Sequence, residues 1–312
     1  MYTIISNLYN KNYNLMVQSI NSPFRYVGGK FYARKLILEY ITHHTNYVEP
    51  FAGGASIFFA KEKSSNNWLN DIDKDVVNVY IHIRDYPEQL ANSLSGEIAT
   101  KERHDFYKNQ FVPKNDLERA IRWYYLNRTS YSGIMNMRNC YWGYGEKYSM
   151  RPENWGRNIF RTSDKLQQVK ITSLDFEKVL DKVDDGAFLF VDPPYFNADQ
   201  DKFYSHSFSK DDHIRLQQAL LKHRHRIHFL LTYDNCSEIR MMYDWAHSIS
   251  EKEWNYTISR TDDQKLTQSI KNGKATCEVP KKGSRYMGKE IFIVNYDIKN
   301  TPEFIQQLSF AL

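Results

Sequence analysis

The sequence predicts an α/β protein with a doubly wound sheet and a mostly helical insertion. Three observations lead to this prediction. Short apolar runs of strand length alternate with helical segments near the start and in the second half of the chain. A glycine turn opens an early helix, and acidic residues follow two of the strand-like runs, as in sheets that bind ligands at their carboxyl edge. Between about residues 84 and 165 the alternation stops, which marks the insertion.

The first part of the sheet is expected between residues 22 and 83. Its predicted elements are a helix at 32–40, a strand at 47–48, a glycine turn at 49–55, a helix at 56–61, a strand at 68–71 and a helix at 76–83. The insertion is predicted to contain helices at 100–109 and 116–126 and then a polar, aromatic stretch at 127–161.

The alternation resumes after residue 165. Strands are predicted at 169–171, 188–191, 227–232 and 291–296, with a helix at 209–223 that Ser209 and Asp212 cap. Residues 1–21 are rich in Asn and Tyr and are expected to form a poorly ordered arm. The predicted domains are therefore this arm, a sheet domain formed by 22–83 and 166–312, and the insertion at 84–165.

Composition excludes several classes of protein. Mean hydropathy is −0.66, and no run approaches the roughly 18 apolar residues that a membrane span requires. Three widely spaced cysteines, Cys140, Cys236 and Cys277, predict neither a disulfide framework nor a CxxC metal site. Because the N-terminus also lacks a signal-peptide pattern, we expect a cytoplasmic protein with reduced thiols. The histidines near residue 225 do not fit a zinc spacing, so no metal is predicted.

The segment Asp192-Pro193-Pro194-Tyr195 follows an apolar strand and carries the clearest chemical signal. Two successive prolines cannot continue a sheet, so the segment must be a rigid turn at the carboxyl end of that strand. The Asp192 carboxylate and the Pro193 carbonyl would then be two fixed acceptors beside the Tyr195 ring. An amino group on a planar ring fits such a site. The alternative is a plain turn after a buried strand.

A second candidate site combines the glycine turn with Asp71. The turn reads FAGGA and does not match the dinucleotide pattern GxGxxG. Asp71 lies 18 residues after Gly53, where a carboxylate at the end of the second strand suits ribose hydroxyls. The alternative interpretation of Asp71 is a helix cap or a surface acid.

These segments occur with several others in one order along the chain. The matching segments are Phe24–Lys30, Val48–Ser56, Asn70–Asp73, Leu126–Gly133, Asp175-Phe176, Phe190–Tyr195, Thr232–Asp234 and Glu290–Tyr296. Together they resemble the Dam-type adenine-N6 DNA methyltransferases, which use S-adenosylmethionine, and the resemblance covers about residues 22–298. It implies a Rossmann-like methyltransferase sheet with an inserted DNA-recognition domain. The implied activity is methyl transfer to N6 of adenine in a specific double-stranded DNA sequence, by base flipping and direct in-line transfer.

The resemblance also implies roles for individual residues. The catalytic set is Asp192, Pro193, Pro194 and Tyr195. Tyr26 and Lys30 would contact the methionine end of the cofactor, Asp71 its ribose, and Asp175 with Phe176 its adenine. The full cofactor-binding set is Tyr26, Lys30, Glu49, Pro50, Phe51, Ala52, Gly53, Gly54, Asp71, Ile72, Asp175, Phe176 and Asp192. For Lys30 the alternative is a solvated surface lysine.

The insertion carries most of the predicted DNA-binding surface. Its residues 119–161 contain eight basic and two acidic side chains, a net charge of +6, among many aromatic residues. This pattern favours a nucleic-acid face, although Trp123 and Tyr124 suit a helical core better. The predicted DNA-binding set is Arg128, Tyr131, Asn136, Arg138, Lys147 and Arg151. Asn136 stands where relatives that read GATC usually have arginine, which argues against GATC. A second basic stretch, 271–289, is predicted as a loop that either touches phosphates or is simply solvated.

Other functions remain open at this stage. Two alternatives use the same chemistry, an RNA adenine methyltransferase and a DNA cytosine-N4 methyltransferase. Asp192 argues against both, because the former tends to have Asn and the latter Ser at that position. From other classes the alternatives are a dinucleotide-dependent oxidoreductase and an inactive DNA-binding module. The expected partners are double-stranded DNA and a possible cognate restriction endonuclease, with the protein a monomer or weak dimer.

Overall fold

The computed structural model describes residues 19–146, 149–198, 206–255, 268–271, 274–277 and 287–298. The strands are β1 Asn46–Glu49, β2 Asn66–Asn70, β3 Lys170–Thr172, β4 Phe188–Val191, β5 His228–Asp234, β6 Ser248–Asn255, β7 Gln268–Lys271, β8 Lys274–Cys277 and β9 Met287–Val294. The α-helices are α1 Arg34–Leu38, α2 Ser56–Ala60, α3 Lys74–Asp85, α4 Pro87–Ser93, α5 Lys101–Asn109, α6 Asp116–Thr129, α7 Trp155–Leu166, α8 Phe176–Lys182, α9 Lys210–His223 and α10 Ser237–Met242.

Seven of the strands form one sheet in the order β3-β2-β1-β4-β5-β9-β6, and β7 pairs with β8 apart from it. Neighbours among β1 to β5 are parallel, whereas β9 runs antiparallel between β5 and β6. The chain moves outward from β1 to β3 and then returns to place β4 on the other side of β1. This reversal opens a crevice at the carboxyl ends of β1 and β4, where sheets of this kind bind ligands.

The core lies on both faces of the sheet. In β4, Phe188 and Phe190 pack into one apolar cluster and Leu189 and Val191 into the other, as the alternation of side chains along a strand requires. The predicted α/β class, the strands and the capped helix are thus confirmed, the last by a capping box between Ser209 and Asp212.

The helices of the insertion share a core with the sheet. Helices α6 and α7 pack against α3, and the Phe24 ring lies 4.7 Å from Tyr80 and 4.6 Å from Trp123. Trp123 and Tyr124 are buried, which confirms the core interpretation for these two residues. Helix α7 was expected as a polar stretch, but its buried face repeats at helical spacing. A separate DNA-recognition role for residues 84–165 stays a prediction.

Two predicted features lie outside the described residues. They are most of the arm at 1–21 and the side chains of the second basic stretch. Sequence reasoning also missed two elements that flank the site, helix α8 and strand β6. Within the described ranges, no helix is long and apolar enough to cross a membrane.

Candidate active site

Acidic side chains lie at the carboxyl ends of four strands, along one edge of the sheet. Glu49 ends β1, Asp71 follows β2, Asp192 follows β4 and Asp234 ends β5. Because these strands are parallel, their carboxyl ends meet at the crevice between β1 and β4. The structure therefore brings together the two candidate sites of the sequence analysis, the Asp192 turn and the glycine turn with Asp71, which the family resemblance joins in one cofactor-binding set.

The glycine turn closes around Tyr26. Gly53 has a left-handed φ of +46°, and a Cβ on it would lie 2.7 Å from the Tyr26 ring, so a larger residue does not fit. The Gly53 amide donates to Asp71 Oδ2 at 2.7 Å, and the Asp73 amide donates to Oδ1 at 2.9 Å. Asp71 is buried, and burial raises its pKa to about 6. It is therefore neither a surface acid nor the cap of α3, which is Asp73.

Buried hydrogen bonds fix Glu49 and Pro50, the first two residues of the glycine turn. Glu49 Oε1 accepts the Tyr47 hydroxyl and the Phe58 amide, each at 2.8 Å. Its carboxyl group is fully buried, and burial raises its pKa to about 8. The Pro50 carbonyl accepts the Asn70 side-chain amide at 2.9 Å. These contacts shape the backbone of the turn, while direct contact of Glu49 with a cofactor stays a prediction.

An aromatic group lies beside the turn. The rings of Phe51, Phe176 and Phe208 are 5.5 to 5.7 Å apart, and the Arg215 guanidinium lies 4.9 Å from Phe176. Asp175 caps α8 and pairs with Arg215 at 3.0 Å. The structure thus places the predicted Asp175-Phe176 pair near the crevice. Sequence reasoning missed Phe208 and Arg215 because neither belongs to a recognisable motif.

Lys30 and Thr232 hold the carboxylate of the Asp192 turn. Lys30 Nζ lies 2.7 Å from Asp192 Oδ1 and 2.9 Å from Oδ2, and the Thr232 hydroxyl donates to Oδ1 at 2.6 Å. Lys30 is 3% exposed, so its interpretation as a solvated lysine is wrong. Its predicted contact with the cofactor stays a prediction beside this ion pair. Thr232 lies in the matching segment Thr232–Asp234, for which the family resemblance implied no role.

Asp234 fixes the residues that follow the turn. Its two carboxylate oxygens accept the amides of Phe196 at 2.9 Å and Asn197 at 3.2 Å. Pro193 is buried, and the Tyr195 ring lies 6.1 Å from the ring of Tyr233. The turn is therefore anchored at both ends, and a plain turn after a buried strand does not account for the ion pair between Asp192 and the buried Lys30.

The side chains that line the crevice suit a ligand with a positive charge and a flat ring. The crevice offers two carboxylates, Asp71 and Asp192, next to a close backbone turn and to the aromatic group of Phe51, Phe176 and Phe208. Ile72, beside Asp71, is 48% exposed and presents an apolar surface there. This set fits S-adenosylmethionine, which has a sulfonium, ribose hydroxyls and an adenine ring.

Replacement of Thr232 by valine tests the support of Asp192. Valine keeps the shape of threonine but removes the hydroxyl that donates to Oδ1. We expect the turnover rate to fall roughly 30-fold, since hydrogen bonds to charged groups contribute on the order of 2 kcal/mol. Cofactor affinity, measured by equilibrium titration, should hardly change. Thr162→Val is a matched control, because Thr162 is also buried and donates only within α7. A Thr232→Val protein with normal turnover contradicts this role.

Two residues of α6 hold the segment that carries Tyr26 and Lys30. The Asn127 side chain accepts the Arg25 amide at 3.1 Å and donates to the Arg25 carbonyl at 2.7 Å. Arg128 is 6% exposed and donates to the Pro23 carbonyl at 3.1 Å. The prediction that Arg128 contacts DNA is therefore corrected. Its guanidinium lies inside the protein, where it binds the backbone of residue 23.

The remaining predicted DNA-binding residues lie mostly at the surface. Tyr131 is 41% exposed, the Arg151 side chain is 62% exposed, and Arg138 is exposed. Asn136 Oδ1 accepts the Arg138 amide at 3.0 Å. Lys147 lies outside the described residues. No described cluster of three or more His, Cys, Asp or Glu side chains is arranged to hold a metal ion.

Comparison with known proteins identifies relatives of this chain. The family model for D12 class N6 adenine-specific DNA methyltransferases matches residues 26–258. The type II methyltransferase M.CviBI of Paramecium bursaria Chlorella virus NC1A is 26% identical over 240 residues, covering 75% of this chain and 91% of that protein. The type II methyltransferase M.MjaIII of Methanocaldococcus jannaschii is 29% identical over 205 residues, covering 56% of this chain and 68% of that protein. The DNA adenine methylase of Escherichia coli K12 is 25% identical over 213 residues, covering 62% and 73%.

Proposed function

Since the chain belongs to the D12 class of N6 adenine-specific DNA methyltransferases, we propose that its Asp192 turn methylates an adenine flipped out of duplex DNA, with S-adenosylmethionine as donor. The observation that carries the proposal is the Asp192 carboxylate, held by Lys30 and Thr232 beside Tyr195. Adenine-specific DNA methylation itself follows from the family. The donor, the residues and the mode of base access are the proposal.

The cofactor would lie across the glycine turn. Asp71 would accept the ribose hydroxyls, and Phe176 with Asp175 would receive the adenine. Tyr26 would line the turn next to Gly53 and Gly54. When bound, S-adenosylmethionine supplies a methyl group activated by its sulfonium charge. Aromatic and carboxylate side chains near that charge favour its binding.

Asp192 and the Pro193 carbonyl would receive the adenine amino group. The N6 lone pair is delocalised into the ring, so the free amine is a poor nucleophile. Two acceptors on its hydrogens concentrate electron density on nitrogen and favour tetrahedral geometry. Positive charge grows on that nitrogen during transfer, so the contact with the Asp192 carboxylate is stronger in the transition state than in the ground state. As the N6–CH₃ bond forms and the S–CH₃ bond breaks, S-adenosylhomocysteine would be the leaving group, and the excess N6 proton would pass to solvent.

The target base must leave the DNA stack to reach this site. We propose that Tyr195 stacks on the flipped adenine and offsets part of the unstacking cost of about a few kcal/mol. The proposed DNA face consists of the exposed residues Tyr131, Arg138 and Arg151, the partly buried Asn136, and Lys147. Contacts with phosphates release counterions, so the affinity for DNA should decrease as salt is added.

Several finer proposals concern the cellular setting. Because some relatives are named type II methyltransferases, we propose a cognate restriction endonuclease as a possible partner. DNA as the substrate supports a cytoplasmic location in a prokaryotic or phage-infected cell. We further propose that the protein is a site-specific adenine methyltransferase that acts as a monomer or weak dimer.

Mass spectrometry of DNA tests the function. The protein is expressed in cells that lack adenine methylation, and their DNA is digested and searched for N6-methyladenine. The expected result is N6-methyladenine at one short sequence motif, which sequencing of modified positions then identifies. N4-methylcytosine in the DNA, or N6-methyladenine in RNA alone, would overturn the proposal. An empty-vector culture is the control.

A further inference from the structure

Glu290 is a buried acid that the proposed mechanism does not use. It lies on β9, between β5 and the edge strand β6, opposite Asp234 on β5 and Lys252 on β6. It is 1% exposed, and the next four residues, Ile291 to Val294, are fully buried and mostly apolar. Placing a carboxylate there is costly unless it is paired. An apolar side chain would suit this position better for folding alone.

Glu290 lies directly behind the catalytic turn. Its Oε2 lies 3.9 Å from Lys30 Nζ, the same ammonium that is 2.7 Å from Asp192. Both oxygens of Glu290 are buried without a hydrogen-bond partner among the described residues. The partly buried carboxylate of Asp192 and the buried carboxylate of Glu290 therefore share one buried lysine, which lies closer to Asp192.

The other charged groups around Glu290 are engaged elsewhere. Asp234, its neighbour on β5, accepts the Phe196 and Asn197 amides. Lys252, its neighbour on β6, places its ammonium 4.9 Å from the Tyr40 ring centroid. Among the described residues, Lys30 is thus the cation that pairs with Glu290. The pKa of Glu290 is raised to about 8, mainly by burial, with Lys30 lowering it in part and the charge of Asp192 raising it.

This arrangement conflicts with the task of Asp192. The bound ammonium withdraws electron density from the carboxylate and occupies both of its oxygens, while Thr232 also donates to Oδ1. Each carboxylate oxygen can accept two hydrogen bonds, so a further donor still fits, but a carboxylate paired with an ammonium is a weaker acceptor than one without it. A movement of about 1 Å would place Lys30 within the usual range of an ion-pair hydrogen bond to Glu290.

We propose that Glu290 is a positioning residue that takes the Lys30 ammonium from Asp192 when the target base binds. Asp192 Oδ2 is then free to accept the hydrogen bond from the adenine amino group. The transfer is a displacement of the lysine between two acids and involves no covalent step. The inference rests on the proposed role of Asp192 in methylation.

Glu290→Gln provides the test, because glutamine keeps the shape and the acceptor oxygen but cannot hold the ammonium as a charge pair. In single-turnover assays with S-adenosylmethionine and duplex DNA, we expect the rate of methyl transfer to fall about tenfold or more, while KM for the cofactor stays near normal. The wild-type rate should rise as pH increases through about 8, where Glu290 ionises in the free protein. The rate of the Glu290→Gln variant should lack this rise.

A double-mutant cycle separates this role from a general structural effect. In a Lys30→Met background, Glu290→Gln should have little further effect on the transfer rate, because the shared ammonium is already absent. Glu251→Gln, an exposed acid on β6, is the control for loss of one charge. A normal rate in Glu290→Gln, or an equal loss in both backgrounds, overturns the proposal.

The outcomes distinguish the two levels of inference. If the wild-type protein does not methylate adenine in DNA, the proposed function is wrong. If it does, and Glu290→Gln shares its rate and pH profile, only the role of Glu290 is wrong. Cofactor titration shows whether the variant is folded. Should it fail to bind cofactor, the wild-type pH profile decides, since absence of the rise near pH 8 contradicts the proposal.

Discussion

Replacing Asp192 with asparagine should reduce methyl transfer on the order of a thousandfold, because the adenine amino group loses its charged acceptor. Asparagine keeps an oxygen for the Thr232 hydroxyl, so the turn should retain its shape. Lys30 loses its nearest counterion but still has Glu290 within 3.9 Å. The measurement is incorporation of labelled methyl groups into duplex DNA at saturating cofactor.

Cofactor binding separates a chemical defect from a folding defect. We expect the Asp192→Asn protein, and also Asp192→Ala, to bind S-adenosylmethionine with an affinity near that of the wild type. Asp185→Asn is a suitable control, because Asp185 is an exposed acid, 81% accessible, paired only at the surface with Arg226. Wild-type rates of methylation in Asp192→Asn would falsify the assignment of the catalytic turn.

Replacing Asp71 with alanine should weaken cofactor binding by at least about tenfold. Alanine removes the acceptor for two backbone amides, Gly53 and Asp73, and the proposed acceptor for the ribose. Without the hydrogen bond from the Gly53 amide, the glycine turn is no longer held to the end of β2, so the melting temperature should fall as well. Isothermal titration with S-adenosylmethionine measures the affinity directly. Asp75→Asn is the control, since Asp75 is exposed and lies only four residues away.

The binding of cofactor should also depend on pH through Asp71. Burial raises its pKa to about 6 in the free protein, so the carboxyl group is protonated below that value. The ionised form accepts ribose hydroxyls better than the protonated form does. Affinity should therefore decrease as the pH falls from about 6 toward the ordinary aspartate value of about 4. In Asp71→Asn this decrease should be absent, and its persistence there would point to another group.

Local patterns along the chain predicted much of the site. Two prolines after an apolar strand force a turn at Asp192 wherever that strand lies, and parallel strands bring their carboxyl ends together. The Gly53 position and Asp71 could be paired from their spacing alone. The family resemblance supplied the remaining roles, including that of Lys30, whose partner in the structure is Asp192.

Other features depend on contacts between residues far apart in sequence. Arg128 looks like a DNA contact among neighbouring basic and aromatic residues, but it lies inside and binds Pro23, 105 residues earlier. No local sequence pattern indicates that Arg128 is buried, because an arginine on a helix is usually exposed. The insertion likewise reads as a separate unit, although its helices α6 and α7 pack on α3.

The sequence by itself determined the α/β class, the strands β1 to β5 and β9 with the turns after them, and the chemical type of the site, because each depends on short-range rules for backbone and side chains. Only the tertiary structure decided how the acids at the sheet edge share their partners. Lys30, Asp192 and Glu290 come from three distant segments and meet because β4 and β9 both flank β5. The charge that Asp192 presents to a substrate is therefore a property of the folded sheet, where burial strengthens each electrostatic interaction.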